Sequence, residues 1–180
     1  MLRLAQAGAP ELLSIVQTRH EPGVPLTDAL NIPEGYRAVT PGGGFIAHNG
    51  PLYARMDNGQ LQLGFRIEQS HCNPLQICHG GMLATLADMQ LALGVIYQAE
   101  QAERRFLPTI SLQLDYLAPA PLGSWLHGET QVLRGTRNMV FVQALLHADG
   151  ALVARASGIL KQGPLMEPGS GRDPFKILNS

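Results

Sequence analysis

Hydrophobic residues alternate with polar ones over most of the middle of the chain, as in antiparallel β-strands with one buried face. Between positions 61 and 67 every second residue is apolar, and this period of two predicts a half-buried strand. Similar stretches predict five further strands, over residues 45–56, 110–116, 125–133, 139–147 and 152–160. Short turns such as Asp57-Asn58-Gly59 join neighbouring strands, so we expect consecutive strands to pair in antiparallel fashion.

Residues 82–97 interrupt this pattern and predict one long helix. The segment has no strand-like alternation, contains many good helix formers and follows a pair of glycines. A helix of this length is about 24 Å long. It is apolar on almost every side, as expected of a buried helix. The sequence therefore predicts an α+β fold, in which an antiparallel sheet of about five to six strands wraps around a long central helix.

The two ends of the chain differ from this dense middle part. Residues 1–40 predict a helix over 10–19 and then a loop, because prolines and glycines punctuate the stretch after residue 20. The predicted main domain spans residues 41–163. Residues 164–180 are rich in proline and glycine, and we expect them to form a loosely attached tail.

Composition and charge narrow the possible functions. The chain has 180 residues, of which 45% are apolar and 15% charged, and its formal net charge is -1. It is long enough for one domain with a substantial core. Its near-neutral net charge does not create the positive electrostatic potential that would attract nucleic acid or an anionic membrane as the main partner. No membrane helix or secretory signal is apparent. Its two cysteines are too few for a disulfide framework. We therefore expect a cytoplasmic protein.

One acidic residue stands out within the predicted helix. Asp88 is the only charged side chain between His79 and Glu100. Burying an ionised carboxylate costs several kcal/mol unless partners or water stabilise it. Asp88 therefore has either a structural hydrogen bond, a patch of solvent around it, or a function in chemistry.

The start of the predicted helix carries the sequence His79-Gly80-Gly81. Helix N-termini have unpaired N–H groups and a partial positive charge. Two glycines let a substrate approach these amides closely, so a developing oxyanion could be held there. A glycine turn required only by the backbone is the structural alternative.

These residues together resemble a known family. Asn73, five intervening residues, His79-Gly80-Gly81 and then Asp88 resemble the motif of hotdog-fold acyl-CoA thioesterases of the phenylacetate-pathway (PaaI-like) group. Residues 109–120 (TISLQLDYLAPA) are similar to the strand of that family that enters its Y-x-x-P-A bend. The resemblance covers about residues 42–162 and implies a hotdog fold and hydrolysis of an acyl-CoA.

The resemblance assigns roles to these residues. Asp88 would be the nucleophile or the general base for water, and the amides of Gly80 and Gly81 would form the oxyanion hole. Asn73 would help to hold the substrate carbonyl or the water, and Thr109 would position the water or the carboxylate. His79 would organise the turn rather than act as a catalyst.

The spacing of Gly80 and Asp88 predicts a shared active site. The two are eight residues apart, which corresponds to a rise of about 12 Å along a helix, whereas a reacting carbonyl lies about 3–3.5 Å from each group that acts on it. A two-fold dimer that combines Gly80 of one chain with Asp88 of the other resolves this. The resemblance implies the same homodimer, with sheets joined edge to edge, and its pairing into a homotetramer.

CoA is part of the expected acyl-CoA substrate, so we expect no separate cofactor. Arg134 and Arg137 flank a turn that lies near the CoA phosphates in related proteins, and Arg104 and Arg105 form a second candidate pair. For each of these arginines, a solvated surface charge is the structural alternative.

Other functions fit the sequence less well. The pairs His71-Cys72 and Cys78-His79 offer zinc ligands, but their spacing is not that of a usual zinc motif, and we expect no metal. The helix motif of hotdog dehydratases is absent, as are G-x-S-x-G and a phosphate-binding G-x-x-x-x-G-K-[ST] loop. A non-catalytic module that binds acyl-CoA is the main alternative to a hydrolase.

Overall fold

The computed structural model describes residues 31–39, 44–100 and 103–166. The helix predicted over 10–19 and the tail after residue 166 lie outside this part. The described residues form the strands β1 Arg37–Val39, β2 Leu52–Asp57, β3 Gln60–Arg66, β4 Thr109–Tyr116, β5 Trp125–Gly135, β6 Met139–Ala148 and β7 Ala151–Lys161, and the helices α1 Gly44–His48 and α2 Gly80–Ile96. A 3-10 turn covers Gln69–His71.

All seven strands form one antiparallel sheet, in the order β1-β2-β3-β5-β6-β7-β4. The hairpins β2–β3, β5–β6 and β6–β7 follow from the short turns in the sequence. Strand β4 follows α2 in the chain and pairs with β7 at the edge of the sheet. Within the described residues, the outer edge of β4 therefore has no strand beside it.

The structure confirms the α+β class and the long helix, and it differs from the prediction in three places. Strand β1 brings the sheet to seven strands, and its three residues are too few to show an alternating pattern. The strand predicted over 45–56 was wrong in its first part, where α1 forms instead. Asn49 closes that helix by donating to the Phe45 carbonyl over 2.7 Å, and Pro51 has no N–H for a strand ladder. Helix α2 begins at Gly80, two residues earlier than predicted.

The core lies between α2 and one face of the sheet. The apolar positions of the 61–67 alternation (Leu61, Leu63, Phe65 and Ile67) are all buried, as predicted. On the helix, Leu86, Ala87 and Leu91 have no exposed surface. The alternation thus identified the buried face of β3 correctly, because side chains in a strand point to opposite faces in turn.

Helix α2 lies very close to β5, where glycines leave room for it. A Cβ atom on Gly94 would lie 2.1 Å from Oγ1 of Thr130, and one on Gly128 would lie 2.6 Å from Cγ of Gln90. Neither distance is physically possible. The two glycines therefore set how closely the helix approaches the sheet.

Gln90 is a fully buried polar side chain in the middle of α2. Its Oε1 accepts from the Leu63 amide over 2.8 Å, and its Nε2 donates to the Leu61 carbonyl over 2.8 Å and to Thr130 Oγ1 over 2.7 Å. Strands β3 and β5 pair only between 64–66 and 125–127. At Leu61 and Leu63 of β3, where β5 is no longer paired, the Gln90 side chain supplies the hydrogen bonds that a neighbouring strand would otherwise make. Because Gln90 also bonds to Thr130 of β5, it links the helix to both strands.

We expect the substitution Gln90→Leu to lower the free energy of unfolding by about 2–4 kcal/mol. A leucine fills similar space but leaves the Leu63 amide and the Leu61 carbonyl buried without partners, and each such group costs about 1–3 kcal/mol. Urea denaturation of the two proteins measures the difference. Gln98→Leu, at an exposed position just after the helix, is the matched control. Equal stability of wild type and Gln90→Leu would contradict this role.

Candidate active site

Asp88 lies on α2 and is half-buried. Its Oδ1 accepts a hydrogen bond from the hydroxyl of Thr109 over 2.7 Å, and Thr109 is the first residue of β4. The fold therefore brings together two of the predicted site residues that are 21 positions apart. Thr109 thus restrains one carboxylate oxygen of Asp88, and the other oxygen has no hydrogen-bonding partner among the described residues.

The face of α2 that carries Asp88 is only half-buried by the rest of the chain, and at Asp88 it contacts the edge strand β4 through Thr109. Its half-buried residues recur at the spacing of one helical face; they are Ala84, Thr85, Asp88, Met89, Ala92 and Val95. We call this set the outward stripe. It is apolar apart from Asp88 and Thr85, so the carboxylate lies in a hydrophobic surface that this chain alone covers only in part.

The two glycine amides at the helix start are not equivalent. His79 is the N-cap of α2, and its Nδ1 accepts from the Gly81 amide over 2.9 Å. This contact caps the start of the helix. The Gly80 amide has no acceptor among the described residues, so it is the amide that remains available to a substrate.

Tyr116, at the end of β4, also contacts this helix start, and the sequence analysis did not identify it as a site residue. Its hydroxyl donates to the Gly80 carbonyl over 3.0 Å. A Cβ atom on Gly80 would lie 3.3 Å from the tyrosine ring, so a larger residue would press on it. The only signal in the sequence was its place in the segment 109–120.

Asn73 belongs to the turn that leads into the helix. Its Oδ1 accepts from the Leu75 amide over 2.9 Å, and its backbone N–H donates to the Ile77 carbonyl over 2.9 Å. An isolated antiparallel β-bridge between the backbones of Cys72 and Cys78 closes this loop. The two cysteine thiols are free. Asn73 thus has a clear structural part, while its side-chain amide nitrogen has no acceptor among the described residues.

The residues of the zinc alternative are engaged in local contacts. The Nδ1 atom of His71 accepts from the Glu68 amide over 3.0 Å, as that of His79 does from Gly81. Burial raises the pKa of the Cys78 thiol to about 12 and also raises that of Cys72, which keeps both thiols protonated near neutral pH. Within the described residues, these four side chains do not gather into a group of three or more metal donors.

The two candidate arginine pairs lie at the same end of the sheet. Arg134 and Arg137 are exposed around the β5–β6 turn. Gln162 donates from its side chain to the Thr136 carbonyl over 2.8 Å. The next residue, Gly163, accepts from Nη1 of Arg105 over 3.2 Å. The segment after β7 therefore links the turn to the second pair.

Arg104 differs from the other three arginines, because its guanidinium packs over the ring of Tyr97 at 4.2 Å. Its Nε and Nη1 atoms are buried without a hydrogen-bonding partner among the described residues. This burial gives it a structural part at the end of α2.

A cavity of about 530 Å³ lies beside the C-terminal end of α2. Its lining is formed by Val95, Ile96, Ala99, Glu103, Arg105, Leu107, Val140, Gln162 and Leu165. Val95 also belongs to the outward stripe and lies about two turns, roughly 10 Å, from Asp88. A bound molecule could therefore extend along the helix from the carboxylate to this cavity.

No helix within residues 31–39, 44–100 and 103–166 has both the length and the hydropathy needed to cross a membrane.

Comparison with known proteins identifies the family of the chain. The family model of the thioesterase superfamily matches residues 75–154. A protein of Pseudomonas aeruginosa named "Putative esterase" is 35% identical over 131 residues, which is 72% of this chain and 96% of the relative.

Solved structures show the same fold. A putative thioesterase of Ralstonia eutropha, described as phenylacetic acid degradation-related, is 28% identical with a TM-score of 0.57, over 66% of this chain and 90% of the other. A hypothetical thioesterase from Streptococcus pneumoniae, solved with coenzyme A, is 19% identical with a TM-score of 0.59, over 69% and 94% of the two chains. The resemblance drawn from the Asn73 to Asp88 motif is thereby confirmed, and the chain belongs to the thioesterase superfamily of hotdog-fold hydrolases.

Proposed function

We propose that the protein hydrolyses an acyl-CoA to the free acid and CoA. The observation that carries this proposal is the hydrogen bond from Thr109 to Asp88, which orients a carboxylate within the outward stripe. An oriented carboxylate in an apolar surface suits attack on a thioester, because the acyl chain has apolar surroundings and one carboxylate oxygen remains for chemistry.

Asp88 can serve in either of two ways. As a general base it takes a proton from water while the water oxygen attacks the carbonyl carbon, and the C–S bond then breaks to release the CoA thiolate. As a nucleophile it displaces the thiolate itself and forms a mixed anhydride, which water hydrolyses. A single turnover in heavy-oxygen water distinguishes them, since only the anhydride route can first place an unlabelled Asp88 oxygen in the product.

The Gly80 amide is the proposed oxyanion hole of the mechanism. As the thioester is attacked, negative charge develops on the carbonyl oxygen, and an N–H at a helix N-terminus stabilises it. One such donor contributes about 3–4 kcal/mol to transition-state stabilisation. Because the Gly81 amide already bonds to His79, we assign the main oxyanion contact to Gly80, with Asn73 as a further donor toward the carbonyl or the water.

The complete site, in this proposal, belongs to a homodimer. Gly80 and Asp88 both lie on α2, about 12 Å apart along its axis, so one helix cannot present both groups to one carbonyl. The outward stripe and the free edge of β4 support a two-fold partner on this side, and the nearby side chains of Ile110, Tyr116 and Leu117 are more than half exposed. The homotetramer implied by the resemblance would be a pair of such dimers.

The arginines at the end of the sheet are the proposed contacts for the CoA phosphates. Arg134 and Arg137 are exposed and free to move towards a ligand, and Arg105 lines the cavity. The coenzyme A in the solved Streptococcus pneumoniae structure supports a CoA ester as the substrate class. Arg104, packed on Tyr97, would act mainly by holding this region in place.

A panel of CoA thioesters, together with thioesters of the same acyl groups that lack the nucleotide, tests the proposal. We expect wild type to turn over at least one CoA ester. The double variant Arg134→Glu/Arg137→Glu should raise the KM for that ester about tenfold, the equivalent of roughly 1.4 kcal/mol, and leave the KM for the short thioester unchanged.

Arg37→Glu, an exposed charge reversal on the opposite edge strand, is the matched control for this experiment. Binding of CoA esters without turnover of any of them would contradict hydrolysis and favour a binding module. An equal rise in KM for both kinds of thioester would contradict the phosphate contact.

A further inference from the structure

Two histidines and a glutamate lie together on the face of the sheet opposite α2. His127 and Glu129 are two residues apart on β5, and His147 on β6 is the direct pairing partner of His127. The intervening residue Gly128 and the next residue Thr130 face the helix, as their contacts with Gln90 and Gly94 show. The three side chains therefore share the outer face and are separated from Asp88 by the sheet.

Their donor atoms are close enough to share an ion. One nitrogen of each imidazole and one oxygen of Glu129 lie within 4.8 Å of one another. Nε2 of His127 is 3.8 Å from Oε1 of Glu129, and the two imidazole rings stack with centroids 5.4 Å apart and planes at 26°. Donors bound to one tetrahedral zinc ion are about 3.3 Å apart, so small side-chain rotations bring these atoms into place.

The surroundings of the two histidines favour a ligand. The Nδ1 atoms of both rings are buried and have no hydrogen-bonding partner among the described residues, although buried polar groups are nearly always paired. Burial, together with the neighbouring imidazole, lowers the pKa of His127. The Glu129 side chain is 46% exposed, which gives an ion and its remaining water ligands a way in.

A supporting contact already orients the carboxylate. Nε2 of Gln62 donates to Oε1 of Glu129 over 3.4 Å, and Oε1 of Gln62 in turn accepts from Nε of Arg55 over 2.8 Å. Arg55 brings a positive charge near this group, and its charge is partly compensated by Asp57, whose carboxylate is 3.8 Å from Nη2. Such outer contacts are typical of ligands that hold a metal.

We propose that His127, Glu129 and His147 form a zinc site that joins β5 to β6 on the outer face of the sheet. Two imidazoles and one carboxylate are a donor set that suits Zn²⁺, and water completes the coordination. The site lies apart from the catalytic residues, so zinc stabilises the sheet and takes no part in hydrolysis. The sequence analysis expected no metal, but it considered only the His71-Cys72 and Cys78-His79 pairs. It did not identify this group, in which His147 lies 20 and 18 positions after His127 and Glu129.

Zinc binding by the untagged, full-length protein after removal of metals with a chelator tests this proposal. After dialysis against Zn²⁺, we expect about one zinc per chain by elemental analysis, and a higher Tm with zinc than without it. His147→Gln and the near-isosteric Glu129→Gln should each weaken zinc affinity by on the order of 100-fold and abolish the Tm shift. His48→Gln, at an exposed histidine on α1, should bind as wild type does.

Replacement of zinc by Co²⁺ gives a second readout that does not depend on activity. The visible spectrum of Co²⁺ bound by the wild type should show intense d–d bands, which are typical of an ion with a low coordination number. Both ligand variants should lose these bands. Circular dichroism establishes that the variants are folded. Binding of less than a fifth of an equivalent by the wild type, or equal binding by wild type and both ligand variants, would overturn the proposal.

Discussion

The substitution Asp88→Asn is expected to lower kcat for thioester hydrolysis by about 10²–10⁴-fold, the usual contribution of a positioned acid–base group. Asparagine has the size of aspartate and can still accept the Thr109 hydroxyl through its amide oxygen. It cannot, however, take a proton from water or attack a carbonyl as an anion. The loss should therefore appear in kcat, measured under saturating substrate, while the Tm stays close to that of wild type.

Asp57→Asn provides the matched control for this prediction. Asp57 lies in the β2–β3 hairpin, where its carboxylate accepts from Asn58 over 3.2 Å, and the same chemical change there should leave kcat unaltered. Thr109→Val removes only the orienting hydrogen bond and should lower kcat less than Asp88→Asn does. A wild-type rate in Asp88→Asn would remove this residue from the mechanism.

Mixing two inactive variants should restore activity if each site is shared between chains. Gly80→Val presses on Tyr116 and crowds the helix start, so we expect it to block the approach of a carbonyl to the Gly80 amide. In a mixed dimer of Gly80→Val and Asp88→Asn, one site carries both substitutions and the other carries neither. Random exchange of equal amounts gives about half mixed dimers, and hence about a quarter of wild-type activity.

Subunit exchange after mild denaturation and refolding, followed by the thioesterase assay, measures this recovery. Mixing Asp88→Asn with the same-side variant Thr109→Val is the control, because Thr109 bonds to Asp88 of its own chain. In this control, each mixed dimer carries one Asp88→Asn site and one Thr109→Val site, so mixing creates no unaltered site and the activity stays at the average of the two parent dimers. If the Gly80→Val and Asp88→Asn mixture stays inactive although mixed dimers form, the site lies within one chain and the shared-site proposal fails.

The position of Asp88 could be found from the sequence, but its partner could not be derived from the pattern alone. A single charged residue in an apolar helix can be recognised directly in the sequence, and so can a pair of glycines at the helix start. The contact with Thr109 depends on β4 returning across the sheet to pair with β7. Only the resemblance to a family placed Thr109 in the site before that topology was known.

The same distinction explains what the sequence analysis missed. Gln90 is an ordinary helix residue in the sequence, and it becomes a structural bridge because β3 and β5 separate beside it. The unequal availability of the Gly80 and Gly81 amides depends on the ring of His79 turning back to cap the helix. These features result from side-chain orientation, which hydrophobic periodicity does not encode.

By itself the sequence determined the α+β class, the buried face of β3, the long helix and the acidic residue within it, because each follows from local periodicity or from the cost of burying a charge. The tertiary structure alone decided which residues far apart in the chain meet: β4 beside β7, Gln90 between two strands, and His127 and Glu129 opposite His147. Those contacts depend on strand order and register, and these are set by the packing of the whole sheet against one helix.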